Sequence, residues 1–517
     1  LAAGWPLVVG GALPAGVDVH PVPDAPVRNT RGLLGGLLTH PYNFMHWLES
    51  APAFDVVHAA DRGYIAYFAL AAKRQKLGFA GTHFCVHALQ PLLWHKLVNA
   101  DPLDGPAWLP QVHAERHCLE HADTVVAPTQ YILRWCLQQG YRLPPGRTFV
   151  QPLLGAPVDG GGAAPGRDPM PIAELVFVGA LEPRHGLPQF VDAVARLADA
   201  GAAVPMVTFA GRRNPAFPSV PYIGQKFAGK GIRRQIRSDL VADAAVAYVA
   251  EGRRLAVFPA VEDNGSRALQ MCLERGLPVL ASRAAGLYEA INPEDRGHAT
   301  VELHPDRLSE RLRQCIDTGQ VPARPAEAGR ETEASWRDWH ARLPAAPWPA
   351  GAQVPAAPAS RPMVSVCIMH FNRPDIVEQA IASVKAQTYR EIEVVLIDDG
   401  SRDPDVPDLL DRLEPAFAAR GWRIVRQPNL YLGAARNTAA QHARGTYLYF
   451  LDDDNVLKPE ALETFVAVAE RTEADMVTSF SDTFSGSSDP IEMPPPWPTR
   501  IVQLGDDLNF GLFRNGF

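Results

Sequence analysis

Apolar positions along the chain come in short dense runs, each followed by a polar or glycine-bearing loop and then by a stretch with helical spacing. In the last third, Val364 to Met369 (VSVCIM), Glu393 to Asp399 (EVVLIDD) and Thr446 to Asn455 (TYLYFLDDDN) predict buried strands. A helix over 459–471 should follow the last of them, so 364–455 reads as strands alternating with helices. Earlier, Asp55 to His58, Thr82 to His87, Thr124 to Ala127, Glu174 to Val178, Met206 to Ala210 and Leu255 to Phe258 predict further strands. Helices are expected over Tyr64 to Lys76, ended by Gly78, over Gln111 to Ala122, and in YILRWCLQQG with Thr129 as its cap. Another is expected in LPQFVDAVARLADAG. Such alternation implies an α/β protein with mostly parallel sheets.

Polar punctuation divides the chain. Residues 155–169 are rich in Gly and Pro, and 344–360 (PAAPWPAGAQVPAAPAS) suit an extended spacer rather than a buried element. The expected domains are 1–160, 170–343 and 361–517, with 344–360 as linker. The segment 484–498 (FSGSSDPIEMPPPWP) reads as a surface insertion. In ETEASWRDWHARL, Trp336 and Trp339 lie three apart and should pack together.

Candidate chemistry gathers where apolar runs stop. Asp452, Asp453 and Asp454 end one strand, and Asp398 with Asp399 end another, at the C-terminal edge where open α/β sheets place their ligands. Three adjacent carboxylates repel one another, and a hard cation such as Mg2+ or Mn2+ relieves that cost. Asp452 and Asp454 would both reach one ion if the strand end curls. The alternative is a solvated acidic turn in which Asp454 or Asn455 caps the following helix. In GALEPRHG, Gly179 and Gly186 could let a diphosphate approach backbone N–H groups, although such turns also occur without ligands. Glu262, in a polar loop, could hydrogen-bond ligand hydroxyls or simply start a helix. The histidines at 58, 83, 87, 95, 113, 117 and 121 have no compact metal-ligand spacing. His87, at a strand end, is a candidate for lining a cleft.

Composition narrows the class. With 517 residues, two or three domains are expected. Net charge is −8, and residues 361–517 hold 24 acidic against 15 basic side chains, so the acidity sits around the aspartate clusters. That argues against a nucleic-acid partner. No apolar run is long enough to span a membrane. Six widely spaced cysteines without a CxxC pair fit a reduced, cytoplasmic protein, compatible with peripheral attachment at the inner face of the membrane. The chain begins with Leu1 and is expected to be part of a longer, bacterial protein.

Residues 361–517 resemble the nucleotide-sugar-binding half of an inverting family-2 glycosyltransferase of the GT-A fold. The matching pieces are VSVCIMHFNRPDIVEQAIASVKAQTY, EIEVVLIDDGSRD, NLYLGAARNTAAQHARGTYLYFLDDDN and LKPEALE. The resemblance implies a UDP- or GDP-linked sugar donor, a glycan acceptor, and Mn2+ or Mg2+ bound mainly by Asp454, with Asp452 contacting the ribose or, through water, the ion. It implies donor contacts from Asp453 and Asp399, a turn supported by Asp398, and a base-side wall of Phe371, Asn372 and Arg373. Arg436 would stand near the donor, and Gly433 would permit the turn before its helix. The catalytic base is expected beyond Phe517; Asp506 and Asp507 stand where the family has a variable connecting strand.

Residues 1–343 resemble a family-4 glycosyltransferase of the GT-B fold, a pair of Rossmann-like domains. FDVVHAADRGYIAYFALAAKRQ and HADTVVAPTQYILRWCLQQGY look like its first half, and LVFVGALEPRHGLPQFVDAVARL and FPAVEDNGSRALQMCLERGLPVLAS like its nucleotide-binding half. Departures from the family pattern matter here. Ala180 and His185 stand where an Arg and a Lys usually bind the donor diphosphate, and Met271 replaces a second Glu. Arg184, Arg212, Arg213 and Lys226 are candidate replacements. Two readings follow for this module: a degenerate fold used for scaffolding or glycan binding, or an active retaining transferase with altered donor contacts.

Overall fold

A computed structural model describes residues 20, 22, 38–99, 101–103, 108–152, 168–215, 217–240, 242–326, 329–343, 361–479 and 511–514. The segments 155–167, 344–360 and 484–498, with Asp506 and Asp507, lie outside the described residues. The chain divides into two compact units, one from Asp55–Ile65 and His83–Ala346, the other from Leu1–Phe54, Ala66–Thr82 and Pro347–Phe517. This division differs from the expected domains: 1–54 and 66–82 group apart from 55–65 and 83–160, and the latter share a unit with 170–343.

The first unit contains two parallel sheets. Strands β1 (Val56–Ala60), β2 (His83–His87), β3 (Thr124–Ala127) and β4 (Thr148–Val150) pair in chain order. Strands β5 (Glu174–Val178), β6 (Met206–Ala210), β7 (Arg234–Arg237), β8 (Arg254–Phe258), β9 (Val279–Ser282) and β10 (Thr300–Val301) form the second sheet, in the order β10-β9-β8-β5-β6-β7. The order reverses between β5 and β8. Side chains alternate across this sheet, so Leu175, Phe177, Phe209 and Val257 join one core while Val176, Ala210, Ala256 and Phe258 join the other. Helices cover both faces, which is why these strands read as continuous apolar runs.

Thr129 does cap its helix: its Oγ1 accepts from Ile132 N at 3.3 Å. Trp336 and Trp339 stack at 5.0 Å between centroids, and Trp339 lies 4.6 Å from Phe149. The two halves of this unit also grip each other. The Glu289 carboxylate accepts from Gln130 N (2.7 Å), Tyr131 N (3.2 Å) and Arg134 (2.7 Å), filling the start of helix Gln130–Gln138. Thr129 and Asn264 hydrogen-bond across the same seam.

In the second unit, β11 (Val364–His370), β12 (Ile392–Asp399), β13 (Arg423–Gln427), β14 (Tyr447–Asp452), β15 (Met476–Thr478) and β16 (Gly511–Arg514) form one sheet ordered β13-β12-β11-β14-β16-β15. Strands β11 to β14 are parallel; β16 runs antiparallel to β14 and β15. Again the alternation sorts the core, with Val364, Val366, Ile368, Val394 and Leu396 on one face and Cys367, Met369, Val395 and Ile397 on the other. The order reverses between β11 and β14.

Some expectations need correction. The helix expected from Tyr64 spans Tyr67–Arg74, because the chain turns first at Gly63 (φ 83°) and Tyr64 (φ 40°). Its end is set not by Gly78 but by Lys76, which adopts φ 55° while Leu77 N returns to Ala72 O at 2.9 Å. Gly433 is not the turn before its helix: it lies inside helix Tyr431–His442, and the left-handed residue is Tyr431 (φ 67°). Helix Ala461–Thr472 begins well after Asp454 and Asn455, so neither caps it. Unanticipated helices include Thr39–Ser50 and Ala242–Ala250, whose sequences lack a clean amphipathic stripe.

Candidate functional site

Strands β11, β12 and β14 bring their carboxyl ends together at the reversal of the second unit's sheet. The register aligns His370 with Asp398 and Met369 with Asp452. One residue past that pair, Asp453 falls beside His370. Its side chain is fully buried, and its Oδ2 lies 2.9 Å from His370 Nδ1 and accepts from Phe371 N at 3.3 Å. The Arg373 guanidinium reaches Asp453 Oδ1 and Asp454 Oδ2, each at 2.5 Å. Asp453 is thus an internal anchor, which leaves Asp452 and Asp454 as the outward pair. Asp454 is 46% exposed.

Asp452 is held 3.2 Å from the Arg436 guanidinium, which sits over the Phe450 ring. Burial pushes the Asp452 carboxyl above its usual range, Arg436 opposes that shift, and the charges of Asp454 and Asp453 add to it. Oxygen ligands carrying excess negative charge suit a hard cation shared with a ligand's phosphates. Among the described residues no three His, Cys, Asp or Glu side chains gather around one point.

The second carboxylate cluster is structural in part. Asp399 accepts from Gln427 (2.6 Å) and Leu430 N (3.0 Å), and Asp398 faces Ser401 N at 3.4 Å. Gly400 adopts φ 70°, and a Cβ there would meet Asn429 N at 2.4 Å, so only glycine lets the 428–431 loop close on β12. Asn372 has φ 56° and accepts from Arg402 N (2.6 Å) and Asp403 N (3.0 Å) through Oδ1. Its amide is committed to holding that loop, whereas Phe371 beside it is exposed. Arg373 belongs with the aspartates rather than with Phe371. Sequence reasoning singled out none of His370, Gly400's contact or Tyr431; the β11–β14 register was the signal that could have found His370.

In the first unit, Gly179 and His185 line a cavity of about 310 Å³ at the reversal of the second sheet, together with Ala180, Arg212, Asp263 and Ser266. Gly186 (φ 74°) touches the backbone after β8; a Cβ there would lie 1.6 Å from Pro259 O. Two basic side chains beside this cavity share one carboxylate, while Arg212 stands in its lining. Glu182 Oε1 lies 3.0 Å from His185 Nδ1 and 3.3 Å from Arg184, and its Oε2 accepts from Asn214 at 2.8 Å. The His185 bond, with its charge, Asn214 and Arg184, holds the Glu182 carboxyl down at about 2 despite burial. Lys226 pairs with Asp192. Met271 is buried in the core, while Gln270 lines a neighbouring cavity beside Glu289. Glu262 is half-buried and approaches Tyr131, helping burial to raise that phenol. His87 lines neither cavity: its Nε2 is 2.8 Å from His58 Nδ1, near His340 and Trp336. Burial lowers His87, and burial with the His87 charge lowers His58 to about 4.

At the sheet reversals the first unit has a cavity and the second an aspartate cluster, the place where open α/β sheets bind ligands. Residues 365–512 match the model of glycosyl transferase family 2, and residues 4–153 match that of a glycosyl transferase 4-like domain. The chain therefore joins a family-4-like, GT-B type domain to a family-2, GT-A type domain. It is 33% identical over 118 residues to the uncharacterized glycosyltransferase EpsJ of Bacillus subtilis, covering 22% of this chain and 33% of the relative. It is 31% identical over 128 residues to the putative teichuronic acid biosynthesis glycosyltransferase TuaG of the same organism, covering 25% and 48%. It is also 36% identical over 103 residues to Escherichia coli chondroitin synthase, covering 20% and 14%. The chain spans between about a third and a half of the length of the first curated relatives it matches. Among solved structures, Anabaena HepE in complex with UDP and glucose aligns at TM-score 0.44 and 14% identity, covering 60% of this chain and 84% of that one.

Proposed function

We propose that the 361–517 module transfers a sugar from a UDP- or GDP-linked donor to a glycan or surface-polysaccharide acceptor, with inversion at the anomeric carbon. The observation that carries this reading is the split of the aspartate run: Asp453 is locked inward by His370 and Arg373, while Asp452 and Asp454 remain at the edge. Those two would hold Mn2+ or Mg2+, which supplies charge stabilisation for a departing nucleoside diphosphate. Arg436 orients Asp452, and Arg373 balances Asp454. Asp399, fixed by Gln427, faces the nucleoside side. The names of TuaG and chondroitin synthase support a polysaccharide product. The test is calorimetric titration of the full chain with UDP- and GDP-sugars, with and without Mn2+; metal-dependent binding is expected.

Asp452 gives this binding a pH signature. Because its carboxyl is raised, it takes a proton at a higher pH than an ordinary aspartate near 3.9 as the solution is acidified. Metal-dependent donor affinity should decline on the acid side earlier than a normal carboxylate pair would allow, and titrations repeated across pH would show it.

For the first module, we favour a glycan-binding or scaffolding role over active transfer, on one observation: Glu182 engages both Arg184 and His185 beside the cavity that Arg212 also lines. E182Q, made in a D454A background, should raise UDP or GDP affinity by about tenfold as Arg184 and His185 are released. Unchanged affinity would mean that the pairing is not what keeps a diphosphate out. Among the described residues no helix is long and apolar enough to cross a membrane. All six cysteines are unpaired and buried, which supports a reducing compartment.

A further inference from the structure

We infer that Tyr431 is a donor-binding residue of the family-2 site, an aromatic platform on which the donor's nucleobase stacks. The inference rests on the donor reading above and adds a residue to it. Tyr431 adopts φ 67°, a left-handed conformation that is an outlier for a bulky side chain. Such strain persists only where the surroundings over-determine it, and it concentrates at functional sites.

Here the surroundings do so. Leu430 N donates to Asp399 Oδ1, Gly400 is pressed against Asn429 N, and Arg436, later in the same helix, is bound to Asp452. Helix Tyr431–His442 is therefore fastened to both carboxylate clusters, with Tyr431 between its two fastenings. Despite this, the side chain is not used for packing: Tyr431 is 82% exposed. Folding thus holds a strained backbone without burying the ring that a glycine would have spared.

The position selects the ligand. Tyr431 follows the residue bound to Asp399, on the β12–β13 side of the sheet, away from the Asp452–Asp454 end where a diphosphate would lie. Arg436 lies five helical steps beyond Tyr431, about 7.5 Å along the axis, which leaves room for a ribose between base and phosphates. A planar base is the part of the donor that an exposed aromatic face best accommodates, and base–aromatic stacking is substantial when measured by alanine substitution.

Calorimetric titration of the full chain with UDP and with GDP, each with Mn2+, tests this in wild type, Y431A, Y431G and Y431F. Y431A and Y431G should each weaken binding by about tenfold, while Y431F, which keeps the ring, should recover most of the affinity. Y431G should also unfold at a higher temperature than Y431A, because glycine tolerates the left-handed backbone. Wild-type binding that depends on Asp454 but is equal in Y431A overturns the platform and leaves the donor reading standing. Equal losses in Y431F and Y431A overturn it too. Absence of Asp454-dependent binding in the wild type overturns the donor reading and this inference with it.

Discussion

Asp454→Ala should abolish metal-dependent donor binding, with a loss of at least about 100-fold in affinity, or in rate once an acceptor is supplied. Asp454 is an outward carboxylate whose only described partner is Arg373, and Arg373 keeps Asp453 when Asp454 is gone. Stability should therefore change by less than about 0.5 kcal/mol, the range of surface substitutions. The loss of binding can then be read as chemistry rather than unfolding. Titration of wild type and variant with UDP- and GDP-sugars plus Mn2+ decides the matter. Metal-independent binding that survives in D454A would place the donor in the first module and sink the proposed assignment.

The opposite profile is expected for His370. Its imidazole and the Asp453 carboxylate are both fully buried, and their contact ties β11 to the end of β14. His370→Ala leaves a buried carboxylate short of one partner and opens a void beside it, at a cost on the order of 3 kcal/mol. Arg373 remains to share the Asp453 charge, which keeps the figure from being larger. Denaturant unfolding should show an earlier transition for the C-terminal unit. Asp453→Asn, which keeps the shape and removes the charge, should cost less. Equal stability of H370A and wild type would mean that Arg373 alone satisfies Asp453.

These two residues also show what the sequence could convey. Apolar runs such as EVVLIDD and TYLYFLDDDN marked the strands because helices bury both faces of each sheet, and that burial forces near-continuous apolar composition. The acidic strand ends marked the site because sheet polarity fixes where ligands lie. Which aspartate turns inward was not legible, since it depends on the register that sets Met369 beside Asp452 and so brings His370 to Asp453. Long-range pairing of that kind leaves no local trace. Turn positions failed for a different reason. Propensity assigns left-handed backbone to glycine, so Gly78 and Gly433 looked like the turn formers, yet tertiary contacts impose it on Lys76 and Tyr431. In the first module, Ala180 and His185 showed a missing charge, but the neutralising role of Glu182 needed the fold of its loop.

The seam sealed by Glu289 has a thermodynamic consequence. One carboxylate satisfies two free N–H groups and an arginine of the opposing half, and Asn264 adds bonds to Leu89 O and Thr129 across it. A ligand that enters only when the halves separate must first draw on a sparsely populated open form, and its measured affinity is scaled down by that form's fraction of the ensemble. Weak binding by the first module would then report the conformational equilibrium as much as the contacts in its cavity. Loosening Glu289 would tighten such a ligand without touching a single group that meets it.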